Sequence, residues 1–168
     1  SVNGGETWSS ADNQPTASFT SVTTDTAFPY RVCGGDAAHT PLCVASRGDE
    51  GRITARDWRP VSADPSGRVA VDPLDPEIVY SGDVLRFDRR TGQAQHVSPP
   101  GPDSASLANA PLLFAPTDAR TLFFGGTSLW RSNSGGAQWT RVSDDLTRPR
   151  LPIPVTPRRL PADGPPSR

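Results

Sequence analysis

The sequence lacks an excess of charge of either sign, because 17 basic residues balance 18 acidic residues for a net charge of −1. Such a balance provides no electrostatic footprint for nucleic acid or for an anionic membrane surface. No apolar run approaches the roughly 20 residues that a membrane-spanning helix needs. We therefore expect neither a nucleic-acid partner nor a membrane span.

Apolar residues are also scarce. They make up 34% of the 168 positions, whereas 19 prolines and 15 glycines interrupt the chain throughout. Ordinary globular domains have roughly 45 to 50% apolar residues, and proline and glycine both disfavour helix interiors. Lysine and methionine are absent, which we attribute to coding composition and not to function. Long helices are therefore not expected.

Short runs of β-forming residues fill most of the chain, separated by Asp-Pro and Gly-Gly turn signals. This pattern predicts an all-β protein. The predicted strands cover residues 17–23, 30–33, 42–46, 52–55, 68–71, 78–81, 84–88, 112–115, 121–125, 128–132 and 138–142.

An internal repeat decides the predicted architecture. The segment that begins at Asp72 aligns with the segment that begins at Ala115, at an offset of 43 to 45 residues. The alignment equates Tyr80 with Phe123, Gly82 with Gly125, Arg86 with Arg131 and Val97 with Val142. A period of 40 to 50 residues is typical of the blades of a β-propeller. We therefore predict a partial β-propeller of about three four-stranded blades over residues 1–147.

One eight-residue pattern occurs twice, as "SVNGGETW" at residues 1–8 and as "SNSGGAQW" at residues 132–139. The separation of 131 residues is three repeat lengths. Weaker copies are expected near residue 50, ending in Trp58, and near residue 95, where His96 replaces the tryptophan.

The pattern resembles the Asp-box, or BNR repeat, which reads Ser/Thr, any, Asp, any, Gly, any, Thr, Trp. The resemblance implies a turn between two blade strands, in which the third residue accepts hydrogen bonds from backbone N–H groups and the tryptophan packs beneath. Asn3 and Ser134 replace the aspartate, and we expect the shorter Ser134 to leave the second turn weaker. The residues assigned to this structural role are Ser1, Asn3, Gly5, Thr7, Trp8, Ser132, Ser134, Gly136 and Trp139.

Residues 1–148 as a whole are similar to a bacterial family of Asp-box propellers that are labelled glycosyl hydrolases and are related to sortilin-type receptors. The resemblance implies a propeller larger than this chain, whose remaining blades would be partners of these. It also implies two functions to weigh. One is a scaffold that binds a glycan or an extended peptide, and the other is a piece of a secreted glycoside hydrolase of the xyloglucanase or sialidase type.

The residues themselves favour the scaffold. Glycoside hydrolysis needs two facing carboxyl groups, but Asp72, Asp75 and Asp118 lie among turn prolines or in turns. Tyr80 occupies the position of a buried strand aromatic. We identify no catalytic group of residues and no cofactor motif. The ligand-binding candidates surround one strand and its turn, and they are Tyr30, Asp36, His39 and Arg47.

The two cysteines, Cys33 and Cys43, flank a turn near Ala38. They face each other if the two flanking strands pair, which leaves a cross-strand disulfide or two free thiols as alternatives. A disulfide would suit an extracellular or periplasmic protein. The cysteines form no CxxC pair and the two histidines are far apart in sequence, so we predict no metal site.

The last 21 residues, 148–168, differ in composition from the rest, with seven prolines and five arginines. So many missing N–H donors are incompatible with a sheet, and we predict a disordered or polyproline-like tail. A proline-motif ligand and an abnormal terminus are alternatives. Because the chain begins inside a motif without an initiator methionine, we expect it to be an interior piece of a longer protein.

Overall fold

The computed structural model describes residues 3–8, 18–36, 39–48, 53–62, 67–101 and 110–147. Within these ranges twelve strands form three separate four-stranded antiparallel sheets, and consecutive strands pair in each sheet. The prediction of an all-β fold with about three four-stranded units is confirmed at this level. The predicted tail, 148–168, lies outside the described residues.

The first sheet contains β1 (Ser21–Thr24), β2 (Arg31–Asp36), β3 (His39–Ala45) and β4 (Trp58–Pro60). The second contains β5 (Val69–Val71), β6 (Ile78–Ser81), β7 (Leu85–Asp88) and β8 (Gln93–His96). The third contains β9 (Leu112–Ala115), β10 (Asp118–Gly125), β11 (Leu129–Ser132) and β12 (Thr140–Arg141). No helix in the described part of the chain is long and apolar enough to cross a membrane.

One strand prediction was wrong, and two strands, β4 and β8, were not predicted. The strand predicted over 52–55 is replaced by a 3₁₀ turn at Ala55–Asp57, which precedes β4. Thr54 and Asp57 form a capping box that stabilises this turn, with the Thr54 N–H donating to Asp57 Oδ2 at 2.6 Å. Strand β4 has three residues, which is too short for an alternating pattern. Strand β8 reads Gln-Ala-Gln-His and is exposed along its length, so it lacks the apolar alternation that predicts a strand.

The strand registers reproduce the repeat. Val69 pairs with Ser81 and Leu112 pairs with Phe124, which gives an offset of 43 residues. After the hairpin the offset is 45, because Ser81 pairs with Leu85 whereas Phe124 pairs with Trp130. A two-residue insertion in the β10–β11 hairpin therefore explains both values, and the sequence alignment of the two segments is confirmed.

One valine position marks the end of the fourth strand in every sheet. The N–H groups of Val61, Val97 and Val142 donate to the carbonyls of Pro41, Val84 and Leu129 at 2.9, 3.0 and 2.8 Å. The position three residues before this valine holds Trp58, Ala94 and Trp139. The sequence alone suggested that His96 replaces the tryptophan in the second sheet. The strand register shows instead that Ala94 holds the equivalent position.

The core consists of two layers between adjacent sheets. Cys33, Cys43 and Val61 of the first sheet pack with Val69, Val71 and Val79 of the second. The opposite face of the second sheet packs with the third sheet in a larger cluster that comprises Ala70, Ile78, Tyr80, Val84, Leu112, Leu122, Phe124 and Trp130. The second sheet is thus covered on both faces. Strand β5 contacts both β1 and β9, which brings the first strands of the three sheets side by side.

Candidate ligand groove on the first strands

A groove of about 450 Å³ runs across the first strands of all three sheets. It is lined by β1, β5 and β9 and by the residues that follow them. Each of these strands pairs with only one neighbour and is therefore an edge strand of its sheet. Edge strands present backbone N–H and C=O groups that a ligand can use.

The groove combines hydroxyl groups with apolar side chains. In β1 exposure alternates, so that Val22 and Thr24 are exposed while Ser21 and Thr23 are half-buried. All three residues of β5 are buried, which makes this strand the floor. Leu113 of β9 is 43% exposed on the far side. An apolar floor with hydroxyls on one side is typical of a site that orients an extended ligand by a few polar contacts.

The two carboxylates that line the groove are engaged in local turns. Asp25 Oδ1 accepts hydrogen bonds from the N–H groups of Ala27 at 3.2 Å and Arg31 at 2.7 Å. Asp72 Oδ1 accepts from the Leu74 N–H at 2.9 Å. The contacts to residues two positions along the chain, at Ala27 and Leu74, define Asx turns, a conformational role for aspartate. The predicted turn role of Asp72 is confirmed.

Other aspartates act in the same way. Asp75 accepts from the Glu77 N–H at 3.2 Å and Asp118 from the Arg120 N–H at 3.0 Å, as predicted. A hydrogen bond from Thr121 Oγ1 is the main cause that lowers the pKa of Asp118. A stabilised anion of this kind is a poor general acid at neutral pH.

An ion network that includes the groove residue Asp25 joins the first and second sheets. Arg31 Nε is bonded to Asp25, and Arg31 Nη2 lies 2.7 Å from Glu77 Oε1. The Asp25 side chain is only 1% exposed. Burial alone would lower the pKa of Arg31. The hydrogen bonds to Asp25 and Glu77 and the charges of these two residues outweigh burial, so the pKa is raised. Burial lowers the pKa of the neighbouring Arg89.

The structure does not bring the predicted ligand-binding residues together. Tyr30 and the exposed Arg47 lie at one end of the β2–β3 hairpin, where the Ser46 N–H donates to the Tyr30 carbonyl at 2.8 Å. Asp36 and His39 pair at the other end. The six residues of β2 separate the two ends by about 17 Å.

None of these four residues lines the groove. The residues that line the groove were missed because their types are ordinary for strands, and only strand pairing shows that the first strand of each sheet is an edge strand. The Asp-Pro turns after β5 were the available signal, since they mark one end of the groove.

Both Asp-box-like turns share one geometry. The Thr7 N–H donates to Asn3 Oδ1 at 3.0 Å, and the Gln138 N–H donates to Ser134 Oγ at 2.9 Å. The paired glycines have positive φ in each turn, 70° and 98° at residues 4 and 5 and 62° and 91° at residues 135 and 136. Glycine adopts these angles without a Cβ clash. Ser1 lies outside the described residues.

In the second turn the Ser134 hydroxyl takes the place of the longer Asn3 side chain as acceptor, at 2.9 Å against 3.0 Å. Ser132 Oγ also accepts from the Gly136 N–H at 2.9 Å. The hydroxyl serves as acceptor because the turn brings the Gln138 N–H to it. The two turns differ instead in the surroundings of the tryptophan, since Trp8 is 78% exposed whereas Trp139 packs against the larger core cluster.

Cys33 and Cys43 form a disulfide between directly paired residues of β2 and β3. Both cysteines are buried. The disulfide resolves the alternatives that the sequence left open. Among the residues that the structure describes, no cluster of histidine, cysteine and acidic side chains could hold a metal ion.

Comparison of the chain with models of known protein families gives no match, and comparison with curated proteins gives none either. The resemblance to Asp-box propellers therefore rests on the motif and the repeat alone.

Proposed function

We propose that the three sheets are consecutive blades of an Asp-box β-propeller and that the chain is a ligand-binding scaffold. Three features support the propeller: each sheet is a four-stranded meander, the first strands lie side by side, and the repeat length is 43 to 48 residues between first strands. The Asp-box-like turn at residues 132–139 connects β11 to β12, the third and fourth strands of its sheet. These are the features that radial repetition of one unit requires.

The proposed ligand is a glycan or an extended peptide, bound along the groove. The observation that carries this proposal is that one groove crosses the first strands of all three sheets. An extended ligand can contact the three strands in succession. The hydroxyls of Ser21, Thr23 and Thr24 provide polar contacts to sugar hydroxyls or to a peptide backbone.

Binding is favoured over glycoside hydrolysis. A pair of carboxyl groups that catalyses hydrolysis must be available to the glycosidic oxygen and to a water or anomeric carbon. Asp25 is buried in an ion pair, and Asp72 accepts a turn hydrogen bond. The Cys33–Cys43 disulfide is consistent with an oxidising, extracellular or periplasmic setting.

The test is a titration of isotope-labelled protein with soluble β-glucan oligosaccharides in one series and with extended peptides in another. We expect amide shifts confined to β1, β5 and β9 for one of these ligands. Thr24→Arg places a bulky charged side chain at the groove and should abolish the shifts. Thr140→Arg is the matched control, because Thr140 is an exposed strand threonine of β12 and does not line the groove.

Shifts that persist in Thr24→Arg, or their absence with both ligand classes, contradict the proposal. Release of reducing ends from the oligosaccharides, lost in Asp72→Asn, would favour the hydrolase instead.

A further inference from the structure

The joint between the second and third sheets shows how one sheet receives the next. Trp139 Nε1 donates to the Val97 carbonyl at 2.6 Å, and the Tyr80 hydroxyl donates to the Gly135 carbonyl at 3.1 Å. A Cβ at Gly136 would lie 2.5 Å from Val97 Cγ2, so the turn sits directly on the valine. The second sheet therefore offers a receiving face, and the third sheet inserts its turn and tryptophan into it.

The third sheet repeats this receiving face on its other side. By the register of the repeat, the equivalents of Ala70, Tyr80 and Val97 are Leu113, Phe123 and Val142. Leu113 is 43% exposed, Val142 is 50% exposed and Phe123 is half-buried. In the second sheet the same positions are covered by the third sheet. These three side chains form an incompletely covered apolar patch beside the exposed Arg131, which pairs with Phe123, and such a patch can take a further sheet.

The first sheet carries the inserting element on the opposite side of the molecule. Trp58 precedes Val61 by three residues, as Trp139 precedes Val142, and both tryptophans begin or immediately precede the fourth strand. In the part of the chain that the structure describes, Trp58 Nε1 is buried and has no hydrogen-bond partner. An unsatisfied buried donor is costly. Its equivalent in the third sheet finds its acceptor on the preceding sheet.

We propose that the chain associates head to tail with a second copy of itself. The receiving face at Val142 of one copy takes the first sheet of the other, and Trp58 Nε1 donates to the Val142 carbonyl as Trp139 Nε1 donates to Val97. The Phe19 ring, which stacks on Trp58, moves aside. A heterologous joint of this kind forms a ring when its rotation closes. Two copies bring together six sheets, within the four to eight of known propellers. The comparison of six sheets with known propellers is the one step that rests on the propeller proposed above.

Sedimentation velocity of the full chain over a range of concentrations tests the proposal. We expect a concentration-dependent dimer. Val142→Arg should abolish it, because the joint would bury an unpaired guanidinium. Trp58→Phe keeps the ring and removes the donor, and should weaken the dimer about five- to tenfold, the effect of one hydrogen bond. Phe19→Ala should dimerise at least as tightly as the unaltered chain.

Phe28→Ala is the matched control, since Phe28 is the most exposed large apolar side chain among the described residues and belongs to neither face. It should leave the dimer unchanged. A mixture of the Val142→Arg and Trp58→Ala variants should form a heterodimer, because Val142 of the second variant can still receive Trp58 of the first. A chain that stays monomeric at every soluble concentration, or a dimer insensitive to Val142→Arg, would overturn the proposal, and neither result would bear on ligand binding in the groove.

Discussion

The two layers between adjacent sheets are built by different means. Between the first and second sheets the layer is made of cysteines and valines and is joined by the Asp25–Arg31–Glu77 ion network. Between the second and third sheets it is made of aromatic and long aliphatic side chains. The second sheet is thus joined to the first by an ion network, and to the third by apolar packing with two side-chain hydrogen bonds, from Tyr80 and Trp139. The Cys33–Cys43 disulfide lies within the first sheet. The three sheets therefore share one strand arrangement, but different side chains stabilise each of the two layers between them.

Phe124→Ala should give the largest loss. Phe124 is 1% exposed and packs edge to face with Trp139 at 6.4 Å. Removing a buried phenyl ring leaves a cavity and costs about 3 to 5 kcal/mol of unfolding free energy. Urea unfolding measures it. Phe123→Ala, one residue earlier and half-buried on the other face of the sheet, should cost clearly less, and equal losses would contradict the account of the apolar layer.

Arg31→Met tests the polar layer. It leaves the buried Asp25 carboxylate without its ion-pair partner and should lower the unfolding free energy by about 3 kcal/mol, the lower end of the range for a broken buried pair. Arg90→Met is the control: Arg90 forms a two-bond pair with Asp75 at 2.9 and 2.6 Å, but its side chain is 54% exposed. An exposed pair contributes about 0 to 1 kcal/mol. Similar losses in both variants would show that burial does not distinguish the two pairs.

Replacing Cys33 and Cys43 together by alanine should cost about 2 to 3 kcal/mol, because the disulfide closes a loop with a sequence separation of 10. Hydrogen exchange should accelerate in β2 and β3 more than in β10. The unfolding free energy of the double-alanine variant should not change with reductant, whereas that of the original protein should fall. Uniform acceleration across all three sheets would mean that the layers are not stabilised separately.

Tyr80→Phe should have the smallest effect, about 1 kcal/mol at neutral pH, from the lost hydrogen bond to the Gly135 carbonyl. Burial raises the pKa of Tyr80 in the folded protein. Above the unfolded value of about 10, the unfolded chain therefore loses its proton first and stability falls as pH rises. The variant lacks this loss, so the difference from the original protein should narrow at alkaline pH. A difference that stays constant from neutral to alkaline pH would contradict the role of burial.

Local sequence patterns predicted much of this fold. Most strands that carry apolar residues were found within a few positions, but β4 was missed because it has only three residues. Strand β8 was missed because all four of its residues are polar or small. The turn role of Asp72 and Asp118 was predictable because aspartate bonds to its own backbone two residues on. The groove was not, since no local pattern in Ser21–Thr24 distinguishes the first strand of a sheet from the others. The ligand-binding candidates failed to cluster because a hairpin separates its two ends by the length of its strands.

By itself the sequence determined the alternation of strand and turn, the repeat of 43 to 45 residues, and the hairpin that places Cys33 opposite Cys43. These depend on contacts between residues close along the chain. Only the tertiary structure decided that β1, β5 and β9 share one groove, that Trp139 donates to Val97, and that Trp58 Nε1 has no acceptor among the described residues. These contacts join residues from different repeats, and packing between sheets, which no local pattern encodes, selects them.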